Sequence, residues 1–293
     1  MFVATIVASG SLGQGDIGEA ADRVAQTGAR VLAATVLEPG KAADIRFEGD
    51  RQAVRDALQA LSGGIDVVVQ AEATREKRLL VADMDSTMIT IECIDELADY
   101  AGIKAQIAEV TERAMRGELD FAEALRARVA LLADLDEAKI DLCREERVKI
   151  MPGARALVRT MGARGAQTVL VSGGFTRFAD PVGAQIGFHR IVANVLGIAG
   201  GRLTGGVEEP IVDSARKQQE LEAAMAAHGI AVEHSMAVGD GANDIPMIEA
   251  AGLGIAYHAK EKARAAADAE IRHGDLSVLL YAQGIARGDW AAE

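Results

Sequence analysis

The spacing of apolar residues changes character several times along this 293-residue chain. Residues 3–8 (Val-Ala-Thr-Ile-Val-Ala) suit a strand, after which Ile17, Ala20, Ala21, Val24 and Ala25 recur at the spacing of a helix face until Gly28 ends the run. Two further strands are predicted over 30–37 and 42–47, on either side of Glu38-Pro39-Gly40. Asp50 then suits the cap of a helix with Val54, Leu58 and Leu61 on one face, and 65–69 supplies a last strand. Beyond a charged stretch without apolar periodicity (71–77), a buried strand runs through Leu79 to Ala82. From 91 to 149 only helical spacing appears, in Ile94, Leu97, Ala98 and Ala101 and again in Phe121, Leu125, Val129 and Leu132. After Met151-Pro152-Gly153 strands and helices alternate: helix 156–162, strand 168–171, strands 191–196 and 202–207 around Gly200 and Gly201, helix 217–227, then strands 235–238 and 253–256.

Two units follow from this order. Residues 1–72 have the βαββαβ order of a ferredoxin-like module, and in order and size they resemble amino-acid-sensing ACT domains. That resemblance implies a regulatory or dimerising role and leaves open a homodimer formed through residues 1–72. A linker at 73–77 leads to a second unit, 78–90 with 150–293, whose alternating strands and helices predict a doubly wound, Rossmann-like parallel sheet. The helical stretch 91–149 is then an insert beside the strand ends, placed where a cap could exclude water and touch a substrate.

Composition narrows the function. With 49% hydrophobic residues the chain can bury a sizeable core, and 31 basic against 44 acidic residues give a net charge of −13. That charge argues against nucleic acid or an anionic membrane as partner, so any phosphate ligand must be met by local donors or by metal. Cys93 and Cys143 have no ligand spacing and read as core-filling thiols, and the five histidines fit no metal pattern. The first residues lack a basic flank, no stretch offers a membrane span, and the expected compartment is the cytoplasm.

The chemistry gathers at strand ends. Asp83 and Asp85 follow the strand at 79–82, and alternation along an extended chain would send both carboxylates to one side. Such a pair is costly unless a cation joins it or one member is protonated. Ser172-Gly173-Gly174 follows a second strand and Gly239-Asp240-Gly241-Ala242-Asn243-Asp244 a third, with Lys217 between them. In an open parallel sheet these ends line one crevice, and a few hard oxygen ligands suit Mg²⁺ better than zinc.

Asp83-Met84-Asp85-Ser86-Thr87, Ser172-Gly173-Gly174-Phe175, Lys217 and the segment from Gly239 to Asp244 resemble, in order, the four motifs of the haloacid dehalogenase-like hydrolases. Glu92, the run Met115-Arg116-Gly117-Glu118-Leu119-Asp120-Phe121 and Arg128-Val129 narrow the resemblance to members that hydrolyse O-phospho-L-serine to serine and phosphate, the last step of L-serine biosynthesis. It implies Asp83 as the nucleophile that becomes phosphorylated and Asp85 as general acid, then general base. Mg²⁺ would sit on the side chains of Asp83 and Asp240 and the backbone carbonyl of Asp85. Ser172, the Gly173 N–H and Lys217 would hold the phosphoryl oxygens. Asn243 would position phosphate or leaving group, and Asp244 would orient Lys217 or a metal-bound water. Glu92 suits the ammonium of an amino-acid substrate and Arg128 its carboxylate. Two alternatives stay open: another small phosphomonoester such as phosphohomoserine, and a non-catalytic amino-acid sensor.

Overall fold

The computed structural model describes residues 1–61 and 63–292; the side chain of Met115, one of the residues of the narrower resemblance, falls outside that description. The chain opens with β1 (Phe2–Ala8), α1 (Gln14–Gln26), β2 (Arg30–Glu38), β3 (Ala42–Glu48), α2 (Arg51–Gln59) and β4 (Ile65–Ala71). Asp50 caps α2 by accepting the N–H groups of Gln52 and Ala53, whereas Leu61 lies beyond the end of the helix. The four strands form an antiparallel sheet in the order β2-β3-β1-β4, a ferredoxin-like arrangement. Alternation along the strands serves two cores at once. Ala4, Ile6, Ile45 and Phe47 pack with Ile17, Val24, Val54 and Leu58 of the helices, while Val7, Ala42 and Val68 on the opposite face join the large cluster of the second unit.

That second unit is built on β5 (Leu79–Ala82), followed by the helices α3 (Cys93–Ala101), α4 (Lys104–Met115), α5 (Phe121–Ala130) and α6 (Ala138–Arg147). Then come α7 (Ala154–Ala163), β6 (Gln167–Phe175), α8 (Thr176–Ile186), β7 (Arg190–Asn194), β8 (Leu196–Ala199), β9 (Arg202–Val207) and α9 (Ser214–His228). The chain closes with β10 (Ser235–Gly239), α10 (Ile245–Ala250), β11 (Gly254–Tyr257), α11 (Glu261–Ala266), β12 (Ala269–Ile271) and α12 (Val278–Ala282). Six strands form a parallel sheet in the order β12-β11-β10-β5-β6-β7, with β5 flanked by β10 and β6. The carboxyl ends of these three strands, which carry the candidate motifs, are therefore neighbours.

Where the chain leaves the sheet for α3–α6 and where it returns, it runs side by side with itself. Ile89 and Ile150 form an antiparallel bridge, flanked by bonds from Thr90 N–H to Lys149 O and from Met151 N–H to Met88 O.

The strand expected over 191–196 is in fact two. Residues up to Asn194 pair with β6 in the main sheet, whereas Leu196 onward pairs with β9 as a separate hairpin turned by Gly200 and Gly201. The apolar run resumes at Val195 directly after Asn194, so the pattern gives no sign that the chain changes sheets there. The three-residue β12 was missed because a strand that short carries too little periodicity to register.

Residues 71–77 hold the two sheets together. They form a turn of 3₁₀ helix at Glu72–Thr74, and Arg75 reaches from there into a buried network. Its guanidinium grips both oxygens of Asp44, at 2.6 and 3.0 Å, and also donates to the carbonyls of Tyr281 and Ala282 at the end of α12. Asp44 is 0% exposed, and its other partner is the Thr5 hydroxyl. Breaking a buried ion pair from one side typically costs about 3–5 kcal/mol. Arg75→Met should thus lower the urea midpoint markedly; an unchanged midpoint would show that the network contributes nothing to stability.

Candidate active site

β5 stops at Ala82, one residue before the first carboxylate, so Asp83 and Asp85 stand on the loop rather than on an extended strand. One more ladder-like bond, from Asp83 N–H to Val238 O, fixes where that loop begins. The chain then turns sharply: the N–H groups of Thr87, Met88 and Ile89 all point at the Met84 carbonyl, and Ser86 takes a left-handed conformation at φ 55°. A non-glycine residue held there stores local strain, sustained by its surroundings. Here the Ser86 hydroxyl donates to Glu92 Oε1 at 2.6 Å.

Asp83, Asp240 and Asp244 each direct a carboxylate oxygen into a common space, the three atoms lying within 4.8 Å of one another. Lys217, 0% exposed on the first turn of α9, places its Nζ 2.7 Å from Asp83 Oδ1 and 2.7 Å from Asp244 Oδ1. Burial alone would depress this lysine, but the two carboxylates more than offset that and hold the ammonium well above its usual value. Asp244 is fully occupied, because its second oxygen accepts the N–H groups of Asp240 and Gly241. Of the two roles open to it from sequence, orienting Lys217 is the one its bonds favour. Gly239 leaves the room this requires, since a side chain there would run into the Asp244 carboxyl group.

Asp83 Oδ1 is shared between Lys217 and the Met84 N–H, and its Oδ2 has no hydrogen-bond partner among the described residues. Burial, and then the Asp244 carboxylate, push Asp83 upward against the pull of Lys217. Asp240 is pushed up to about 6 by burial and next by Asp244, and its Oδ1 lies 3.4 Å from the Thr87 hydroxyl. Three carboxylates against one ammonium leave a buried excess of negative charge. Hard oxygens in that arrangement fit a divalent cation, with Asp83 and Asp240 offering the uncommitted atoms.

The Asp85 carboxyl group stands apart from that trio. Its Oδ2 accepts the Cys93 N–H at 3.2 Å, while Oδ1 is buried without a partner among the described residues. Burial first, and the neighbouring Glu92 second, push Asp85 up to about 7, so near neutral pH it is poised both to give and to take a proton. Cys93 is the core-filling thiol that its pattern implied, yet its backbone also serves the site. Of the histidines, none belongs to the acidic trio, and His189 instead pairs its Nδ1 with Thr168.

Ser172 and Gly173 fall within β6 rather than after it, at a point where the register against β7 slips between Val171 and Phe175. The Ser172 hydroxyl accepts the Gly174 N–H at 2.9 Å. This loop faces Asp85, because a methyl group added at Gly174 would lie 3.1 Å from Ser172 Oγ and 3.4 Å from Asp85 Oδ2. One at Gly173 would lie 3.0 Å from the Phe121 ring, which places the start of α5 directly over the serine loop.

Arg128, further along α5, is half-buried, bonded through Nε to its own helix at Ala124 O, and has no carboxylate within 4.0 Å among the described residues. Burial pulls it below the usual arginine value despite the opposing influence of Asp95, Glu92 and Asp85. Asn243, half-buried in the 3₁₀ turn Ala242–Asp244, folds its side-chain oxygen over Gly241. The structure thus gathers Asp83, Asp240, Asp244 and Lys217 most tightly, sets Asp85, Ser172 and Gly173 beside them, and leaves Glu92 and Arg128 on the helical side.

Three contributors were not singled out from sequence. Thr87 backs Asp240, the Lys260 N–H donates to the Asp240 carbonyl at 3.0 Å, and Asn194 binds the backbone of Gly173. Lys260 follows the strand next to β10, and that position was the available signal.

A doubly wound α/β fold with carboxylates, a buried lysine and a serine loop at adjoining strand ends defines a hydrolase of the carboxylate-nucleophile class. The chain belongs to the haloacid dehalogenase-like hydrolase family, whose model matches residues 80–249. Among its relatives, a protein named phosphoserine phosphatase from Streptomyces coelicolor is 46% identical over 233 residues, covering 79% of this chain but only 57% of that protein. Another of the same name, from Albidiferax ferrireducens, is 47% identical over 208 residues, 69% of this chain and 88% of that protein. In structure, a probable phosphoserine phosphatase from Vibrio cholerae superposes with a TM-score of 0.77 at 35% identity, over 96% of this chain and 88% of that one.

Proposed function

We propose that this chain hydrolyses O-phospho-L-serine to L-serine and phosphate with Mg²⁺ as its cation. The observation that carries the reading is the meeting, at adjacent strand ends, of Asp83 with Lys217 and Asp240 on one side and the Asp85 and Ser172 pair on the other. One oxygen of the Asp83 carboxylate attacks phosphorus; the bond to the serine oxygen breaks, and Asp85 gives that oxygen its proton. Asp85, now ionised, takes a proton from the water that attacks the aspartyl-phosphate, which returns the Asp83 carboxylate and releases phosphate. Lys217, the Ser172 hydroxyl and the Gly173 N–H hold the phosphoryl oxygens, with Asn243 alongside, as charge shifts between entering and leaving atoms. Mg²⁺, held by the side chains of Asp83 and Asp240 and the Asp85 carbonyl, would offset repulsion between an anionic nucleophile and an anionic ester.

Glu92 and Arg128 supply the two charges an amino-acid substrate needs. Arg128 is a half-buried cation with no carboxylate within 4.0 Å among the described residues, and a substrate carboxylate would give it one in the two-pronged geometry a guanidinium favours. Arg128→Ala should lower kcat/KM for O-phospho-L-serine by ~10²-fold and hardly affect phosphoethanolamine, which has no carboxylate. Equal losses on both esters would remove Arg128 from substrate recognition. The helices α3–α6 then act as a cap that closes over the ester, and residues 1–72 form a regulatory or dimerising module. The deciding experiment is phosphate release from a panel containing O-phospho-L-serine and phosphohomoserine, with Mg²⁺ and again with EDTA. Turnover of phosphoserine that EDTA abolishes is the expected result; binding of L-serine without turnover of any ester would point to a sensor instead.

A further inference from the structure

Asn194 closes β7 with its side chain 1% exposed. Its Nδ2 donates to the Gly173 carbonyl at 2.8 Å and its Oδ1 accepts the Val212 N–H at 2.8 Å. One amide therefore bridges two stretches of backbone that no regular pairing joins. On the first, the β6–β7 ladder has slipped between Val171 and Phe175, so the serine loop lacks the usual cross-strand bonds. On the second, Val212 directly precedes Asp213, which caps α9 by accepting the Arg216 N–H at 2.8 Å, and Lys217 stands on that first turn. The bridge runs from Gly173 through Asn194 and Val212 to the cap of the helix that aims Lys217.

We propose that Asn194 is a positioning residue that sets the spacing between the serine loop and the Lys217 helix, and so shapes the phosphate-holding half of the site. The inference rests on the phosphatase reading. A leucine of similar size would fill the same volume without the desolvation cost of a buried amide. Here each bonded atom of the amide is met by a backbone group whose placement bears on phosphate binding. Glu92 bonds Ser86 and Arg128 bonds its own helix, neither of them through Asn194, so the serine half of the site is expected to feel the loss of this bridge far less.

That asymmetry makes the idea testable. Asn194→Asp keeps the shape and can still accept the Val212 N–H, but it sets a second acceptor against the Gly173 carbonyl; Asn194→Ser removes both reaches. With each folded variant and Mg²⁺, kcat/KM for O-phospho-L-serine should fall ~10²-fold, the scale of a small misplacement of reacting groups. Inorganic phosphate, measured by calorimetry, should bind at least ~10-fold more weakly, and inhibition by L-serine should stay within about twofold. Phosphate affinity and turnover both near wild type, with only the melting temperature lowered, would reduce Asn194 to a structural part and overturn the proposal. Equal weakening of phosphate and L-serine would overturn it too, by showing general distortion. If Asn194→Asp fails to fold, Asn194→Ser decides on the same readouts. Phosphate calorimetry needs no turnover, so a wild-type protein inactive on phosphoserine would sink the functional reading while the test of Asn194 stands.

Discussion

Asp83→Asn is expected to abolish phosphate release, by ~10⁴-fold or more, while leaving the fold at least as stable as before. The loss follows from chemistry: an amide keeps the shape of the carboxylate but cannot take the phosphoryl group. The stability follows from charge. Asp83 shares its buried space with Asp240 and Asp244 against a single ammonium, so removing one negative charge relieves repulsion, and Asp244 still satisfies Lys217. The upward push on Asp83 has the same sign, because folding favours its uncharged form. A second signature should accompany the first. Added Mg²⁺ should raise the melting temperature of the wild type and do so less for the variant, since one of the two uncommitted carboxylates is gone. Near-normal turnover by the folded variant would refute the nucleophile assignment, and a sharply lowered melting temperature would refute the account of its charge.

The opposite outcome is expected one residue away in space. Lys217→Met removes the only cation that touches the trio among the described residues and strands the buried carboxylates of Asp83 and Asp244. Such a loss typically costs about 3–5 kcal/mol, and activity should fall ~10³-fold as the donor to the phosphoryl oxygens disappears. Two substitutions of adjacent partners in one ion pair should thus move stability in opposite directions. Urea unfolding of both at neutral pH without added metal reads this directly; equal destabilisation would mean that the pair, and not the excess of acids, governs the cost.

Much of this was legible before any coordinates, for identifiable reasons. Apolar runs at 79–82 and 235–238 are buried on both sides of the sheet and leave strong patterns, and the acidic residues that follow them stand out because strand ends rarely carry charge without purpose. Asp50 as a helix cap was readable from the residue type alone. What escaped has a common cause, since backbone partners leave no trace in composition. Asn194 looks like an ordinary polar residue at the end of a strand, and its importance comes from the carbonyl and N–H it meets. Arg75 lay in a stretch that read as linker because its partners, Asp44 and the end of α12, are far away in sequence. The break between Asn194 and Leu196 was hidden because apolar residues continue on both sides of Asn194 while the strand changes partner. Glu92 and Arg128 were legible only through the family resemblance, since neither an acid just before a helix nor one arginine within a helix stands out by spacing.

The pairing of Ile89 with Ile150 has a mechanical consequence. The polypeptide between them leaves and rejoins the sheet at a single point, while Asp136 also bridges to Arg202 of the β8–β9 hairpin, so that stretch could be exchanged together with that hairpin contact at little entropic penalty for rejoining the ends. On the proposed reading, the strand ends that attack phosphorus and the helices that select the ester meet the sheet through this one junction, so a changed selectivity would be sought in residues 90–149 and the hairpin they touch, with the sheet left as it is.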